Sequence, residues 1–157
     1  MKKILLILLS FCTLSVMGQN MKSVFIAMPD SICPLLTQVN KEDCIDFLAS
    51  NMKAEVTNRF GNKAEMKALT DDYVLVQTSS ASTLEMKLLP VSDSIKVICM
   101  VKTVCASACD SDVLFYASDW SKKLDAGDFL KLPAASAFYL PADSDTEESV
   151  LIKKKAD

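Results

Sequence analysis

The sequence predicts an α+β fold in which N-terminal helices pack on a mainly antiparallel β-meander sheet. Apolar residues recur at helical spacing up to Leu48, the period shortens to two from Met52 onward, and successive strand candidates are joined by short connections. Parallel neighbours would need crossovers of roughly a dozen residues or more, so short connections favour a meander with the helices over one face.

The elements are preceded by an export signal. Lys2 and Lys3 stand before an apolar run from Ile4 to Met17, and Val16 and Gly18 supply the small side chains a signal peptidase accepts. The run is shorter than the roughly 20 residues that span a bilayer and includes Ser10, Thr13 and Ser15. The bulky Phe11 directly before Cys12 argues against a lipid anchor there. The expected organisation is a signal peptide over residues 1–18 and a single α+β domain over 19–157. The product is expected in the periplasm or secreted, with no transmembrane helix in the mature chain. Once Lys2 and Lys3 leave with the signal, 15 lysines and arginines face 20 acids, a net charge of −5. That balance disfavours nucleic acid as a partner. A chain of this size buries up to about 70% of its unfolded surface, enough for a core without metal.

Asn20 is placed to cap a first short helix in which Val24, Phe25 and Met28 share a face, ended by Met28-Pro29-Asp30-Ser31. Pro34 suits a first helical position, with Leu35, Leu36 and Val39 following. Asn40 then caps a second piece whose apolar stripe is Cys44, Ile45, Phe47 and Leu48, with Lys41, Glu42, Asp43 and Asp46 towards water. Strands are expected over residues 54–60, 64–69 and 73–78, the first two joined by a Gly61-Asn62 turn. Leu84, Met86 and Leu88 alternate with polar residues as a half-buried strand. Turn residues 91–94 lead into a strand from Ile95 to Val104, with Val97, Cys99 and Val101 inward and Ile98 and Met100 on a second covered face. A last strand spans 113–117, and apolar islands follow at Phe129-Leu130 and residues 138–140.

The chain has no histidine and only three glycines, which removes Ser-His-Asp and Cys-His chemistry, His-ligated zinc and any glycine-rich phosphate loop. No cofactor is expected. Five cysteines remain after the signal: Cys33, Cys44, Cys99, Cys105 and Cys109. Cys105 and Cys109 flank three residues between two antiparallel strands, where facing Cα atoms lie about 4.5–5.5 Å apart, within reach of a disulfide. A structural clip is the first reading. A redox pair is the second, although the spacing has one residue more than a thioredoxin-type motif and no helix follows to lower a thiol pKa. Cys33 and Cys44 are placed either to pair or to pack as thiols, and Cys99 is expected to be buried. The methionines at 52, 66, 86 and 100 are read as core. Asp71-Asp72 reads as a solvated turn, and Asp143-Ser-Asp-Thr-Glu147 starts like an EF-hand loop but lacks its glycine and final glutamate. Trp120, at a strand end, is a candidate contact residue.

Seven segments then point to a family: Met28-Pro-Asp-Ser, Met52-Lys-Ala-Glu-Val-Thr-Asn-Arg59, Leu69-Thr-Asp-Asp-Tyr73, Ser82-Thr-Leu-Glu-Met-Lys-Leu-Leu-Pro90, Lys96-Val-Ile-Cys99, Thr103-Val-Cys105 and Ala108-Cys-Asp110. Over about Met21 to Leu140 the chain resembles the exported Bacteroidales proteins catalogued as domain of unknown function 3256. The resemblance implies an exported α+β protein with no established activity, cofactor or catalytic residue. Members are expected to continue into a further pair of strands, and a truncated C-terminal end is one reading of this chain. The function expected is non-catalytic binding of another protein or a surface polymer. The alternatives are thiol-disulfide chemistry at Cys105 and Cys109, and a carboxylate-only glycosidase with two acids roughly 5–9.5 Å apart in a cleft.

Overall fold

The computed structural model describes residues 20–92, 95–131, 133, 134 and 137. The expected signal segment, the Asp143–Glu147 run and the 138–140 island lie outside them. The fold is the expected one: N-terminal helices on a seven-stranded antiparallel sheet whose spatial order is its chain order.

Helix α1 (Met21–Ile26) starts as its sequence dictates, with Asn20 Oδ1 accepting from the Ser23 amide at 2.9 Å. It buries Met21, Val24 and Phe25. Helix α2 (Gln38–Ala49) differs from expectation at its start. Pro34 to Leu36 form turns, and the N-cap is Thr37. Thr37 Oγ1 accepts from the Asn40 amide while Asn40 Oδ1 accepts from the Thr37 amide, a reciprocal pair that turns the expected cap into the third helical residue. The Asn40 amide group also donates to Thr57 O. At the other end Asn51 takes the left-handed conformation (φ 54°), and the Met52 and Asn51 amides donate to Phe47 O and Leu48 O, satisfying carbonyls that the helix leaves open.

Lys41 also departs from expectation and points inward. Residues 41, 44, 45 and 48 share a face at helical spacing, so Lys41 joins Cys44 and Ile45 on the buried stripe instead of facing water. Its side chain is 1% exposed, and its Nζ donates to Met28 O at 2.5 Å and lies 4.0 Å from Asp30 Oδ1.

The strands are β1 (Glu55–Thr57), β2 (Lys63–Leu69), β3 (Tyr73–Ser79), β4 (Ser82–Pro90), β5 (Lys96–Cys105), β6 (Cys109–Ala117) and β7 (Lys123–Leu124). β1 is shorter than expected because Asn58 leaves the ladder. Its Oδ1 accepts from the Phe60 and Asn62 amides, closing the turn in which Gly61 adopts φ 80°. Its Nδ2 donates to Thr78 O, which a register shift in β3 frees from the ladder with β4. β6 begins four residues earlier than expected and pairs with β5 along its whole length.

Cross-strand partners share a face. Met66, Val76, Leu84, Met86, Met100 and Ile98 line the helix-covered face with Phe25, Leu36 and Ile45, and this is the core. Cys99 is therefore on the other face, half-exposed beside Lys87 and Phe115, because the inward residues of β5 are the even-numbered ones. Met52 is also a correction, at 52% exposure.

The chain falls into two compact units, up to Leu124 and from Asp125. In the second, a 3-10 turn (Ala126–Asp128) is capped by Asp125 Oδ1, which accepts from the Gly127 amide.

Lys41 generates a prediction. Burial lowers its pKa below the ordinary 10.5, and Asp30 only partly opposes this, so the unfolded chain holds that proton to higher pH than the folded one. Stability should therefore rise with pH through the folded pKa towards 10.5. Denaturant titrations above neutral pH are expected to show that rise and to lose it in Lys41→Met. Lys41→Ala, which also orphans Met28 O and opens a void, should cost about 2–4 kcal/mol.

Candidate functional site

The turns between β1 and β2, β3 and β4, and β5 and β6 gather at one end of the sheet, where the segment from Met28 to Thr37 crosses over. That segment is built of turns, with the Ile32 and Cys33 amides on Pro29 O and the Leu36 amide on Cys33 O, and its other backbone groups need outside partners. Lys41 takes Met28 O, Lys102 Nζ takes Ile32 O at 2.5 Å, and the Arg59 amide donates to Leu35 O. Arg59 also pairs with Asp30, its guanidinium 2.5 Å from the carboxylate.

Pinned in this way, the segment walls a groove of about 110 Å³. Ile32, Pro34 and Leu35 form one side, Leu84, Thr83, Lys102 and Val104 the floor, and Thr78 and Ser82 the end. Val104 is 59% exposed, a β-branched apolar residue at the rim. Thr78 Oγ1 and Ser79 Oγ both lie within hydrogen-bond reach of Ser82 Oγ, at 2.8 and 2.7 Å, so the polar end is internally satisfied. Chemically this is a small apolar recess with a fixed backbone wall, suited to taking up a side chain.

Cys33 lines the same groove. Burial pushes its thiol pKa up, and the neighbouring Lys102 and Lys41 charges oppose this only in part, so the thiol stays protonated. Cys44 is pushed to about 11 by burial, and its thiol lies 3.7 Å from Ala54 O. Burial raises Cys99 as well. None of the three is bonded to another cysteine.

Cys105 and Cys109 are brought together beyond the groove, where the β5–β6 turn reaches into solvent. Their sulfurs are 2.02 Å apart and their Cα atoms 3.9 Å apart, closer than the facing-pair distance expected from the sequence. The two residues are register partners, and the Ala106 amide donates to Ala108 O within the loop. Cys109 is followed by strand, not by a helix terminus. Trp120 is at the opposite end of the sheet, in the turn between β6 and β7 with φ 63°, a conformation unusual for so bulky a residue. Its Nε1 donates to Val24 O at 2.9 Å and its ring centroid is 5.4 Å from that of Tyr116, so the half-buried indole ties this turn to α1.

Two acids do share a shallow depression, lined by Glu55, Asn62, Lys63, Ala64, Glu65, Gln77 and Ser80. Glu55 and Glu65 face each other across β1 and β2. Hydrogen bonds from Lys53, and then from Lys63, hold Glu55 at about 2, and Lys67 lowers Glu65. Both are ionised at neutral pH, so neither is the protonated acid a glycosidase pair requires. Asp72 is likewise lowered, first by Lys87 and then by Thr70, while Asp71 O accepts the Met21 amide. Among the described residues no three His, Cys, Asp or Glu side chains are gathered to hold a metal, and no helix is long and apolar enough to cross a membrane.

The groove was missed from sequence because its two sides come from segments about 70 residues apart. The one local signal was Val104, an apolar residue at the end of a strand and on the same face as Met100.

A family model described as a protein of unknown function (DUF3256) matches residues 13–157. Among solved structures, a domain of an uncharacterized protein from Porphyromonas gingivalis W83 is similar, with 27% identity and a TM-score of 0.69. The match covers 86% of this chain and 69% of that one. No curated protein matches.

The Cys105–Cys109 bond closes so short a loop that its removal tests its role directly. In the chain-entropy picture the double variant Cys105→Ala/Cys109→Ala should lose about 2 kcal/mol or less, read from denaturant midpoints. Amide exchange should accelerate at the β5–β6 turn while the Met86 and Met100 core stays protected. Global unfolding on removal would give the bond a larger part than the loop length allows.

Proposed function

The chain belongs to the family of proteins of unknown function DUF3256, and from that premise we propose that it is a non-catalytic protein working outside the cytoplasm by binding another protein or a surface polymer. The observation that carries this is the groove over β4 and β5, an apolar recess with exposed Val104 at its rim and a backbone wall fixed by Lys41, Lys102 and Arg59. Rigid walls reduce the ordering cost of association, and a recess that admits one apolar side chain is the usual shape of a binding hot spot. The ionisable groups fit the same reading. The free thiols are held protonated, and Glu55, Glu65 and Asp72 are held ionised by lysines, so each is removed from the pKa range of a general acid or base at neutral pH. The acidic surface and the signal-like N-terminus support a place beyond the inner membrane.

The test is site-specific photo-crosslinking in the cells that make the protein. A photo-reactive amino acid in place of Val104 should give a discrete adduct on irradiation, and the same residue in place of Met52, which is exposed away from the groove, should not. Absence of an adduct from position 104, or catalytic reduction of a small-molecule disulfide by the wild-type protein, would sink the reading. The second outcome would move the function to Cys105 and Cys109.

A further inference from the structure

The sheet has two edges, and they are finished differently. At β1 the strand is three residues long, Thr57 O is taken by the Asn40 side chain, and the Glu55 amide turns back to Lys53 O. At the other side β7 covers only the last part of β6, pairing with Phe115 and Tyr116. From Cys109 to Leu114, β6 has no neighbour on its outer side among the described residues.

The direction of the β6 backbone groups follows from the register. The Cys105 amide donates to Ala81 O, on the β4 side of β5, so Val104, Lys102 and Met100 are the residues of β5 that bond to β6. Their partners Asp110, Asp112 and Leu114 use their amides and carbonyls inward, which leaves Ser111 and Val113 directed outward. The outward amide of Ala117 donating to Lys122 O confirms the alternation. Of these outward groups, the Ser111 amide is occupied by Asp110 Oδ1 at 2.9 Å, while Ser111 O, Val113 N and Val113 O have no partner among the described residues. Residues 110–112 are exposed and Val113 is half-buried.

The side chains beside this edge decide what fits it. Asp110 and Asp112 stand on one face two residues apart, and among the described residues neither is in an ion pair. Two copies of the chain joined here would bring four carboxylates together, which opposes self-pairing. An extended segment with Lys or Arg at alternate positions meets the opposite condition, since an added strand projects every second side chain onto the Asp110 and Asp112 face.

We propose that the outer edge of β6 is a strand-addition site for an extended peptide carrying basic residues at alternate positions. The peptide pairs with Ser111 and Val113, displaces Asp110 Oδ1 from the Ser111 amide, and so releases that carboxylate to a peptide cation. This rests on the binding reading above and gives it a partner chemistry. Val104, at the rim of the groove, is the direct register partner of Asp110, so edge and groove are one strand apart.

The probe is a blocked peptide Thr-Lys-Val-Lys-Thr, with Thr-Gln-Val-Gln-Thr as the neutral comparison, titrated into the full chain and followed by amide hydrogen exchange. Exchange at Ser111 and Val113 is expected to slow saturably with the basic peptide. Val113→Pro blocks the outward amide without removing a ladder bond to β5, and should weaken binding by roughly tenfold. Asp110→Asn/Asp112→Asn should remove the salt dependence and the preference over the neutral peptide. Protection appearing elsewhere, binding unchanged in Val113→Pro, or Ser111 and Val113 protected by rising protein concentration without peptide would each overturn the proposal. If Val113→Pro does not fold, the exchange pattern of the wild-type chain still decides. A negative result here together with an adduct from position 104 rejects this edge while leaving the binding reading in place; loss of both rejects the reading itself.

Discussion

A lysine inside a hydrophobic core has to find oxygen acceptors. Lys41 finds them in Met28 O and, more distantly, in Asp30, and the position of everything between α1 and α2 follows from that need. Met28 and Asp30 are thereby held at the head of the path to Thr37. Arg59 and Lys102 fasten the chain along that path, and the wall of the groove is the result. The same ammonium explains why the core tolerates a charge on the stripe formed by Cys44 and Ile45: it acts as a fixed staple between a helix and a stretch that could not hold its own shape.

The sheet is built unequally on its two faces. One is dry, with methionines at 66, 86 and 100 filling space between unlike neighbours under both helices. The other mixes Tyr73, Glu85 and Lys87 with Leu75, Val101 and Val113, residues that suit a surface partly in water. Ion pairs along β1, β2 and the turn into β3 keep the carboxylates there ionised. The distinctive features of the described residues are shapes: a recess, a hairpin tip and an edge.

The helix-to-sheet transition was legible because spacing is a local property, and so was the meander, because short connections leave antiparallel pairing as the simple solution. The errors have local causes too. Pro34 and Asn40 each carry a helix-start preference, but Thr37 and Asn40 satisfy one another, and the reciprocal cap outcompeted both simpler readings. Lys41 was assigned to water by its charge, although residues 41, 44, 45 and 48 already marked one face. Cys99 was placed inward because β5 is apolar at odd and even positions alike, and only the pairing with Met86 and Leu88 decides which set meets the helices. Of the site, the proximity of Cys105 and Cys109 could be read from spacing, while the groove could not, since its wall is held by contacts across long stretches of chain.

The order of the strands has a consequence for how the molecule comes together in time. Each strand pairs with the segment made just before it, so every hairpin closes a small loop, and the sheet can grow in the direction of synthesis at little entropic expense. The longest-range bonds come last: the Met21 amide meets Asp71 O, but Lys102 to Ile32 joins residues 70 apart and Trp120 to Val24 residues 96 apart. The helical segment leaves the ribosome first and can meet Arg59 and Asp71 early, yet its last fastenings wait for β5 and the turn beyond β6. That order leaves the leading part incompletely locked until the trailing strands have been made.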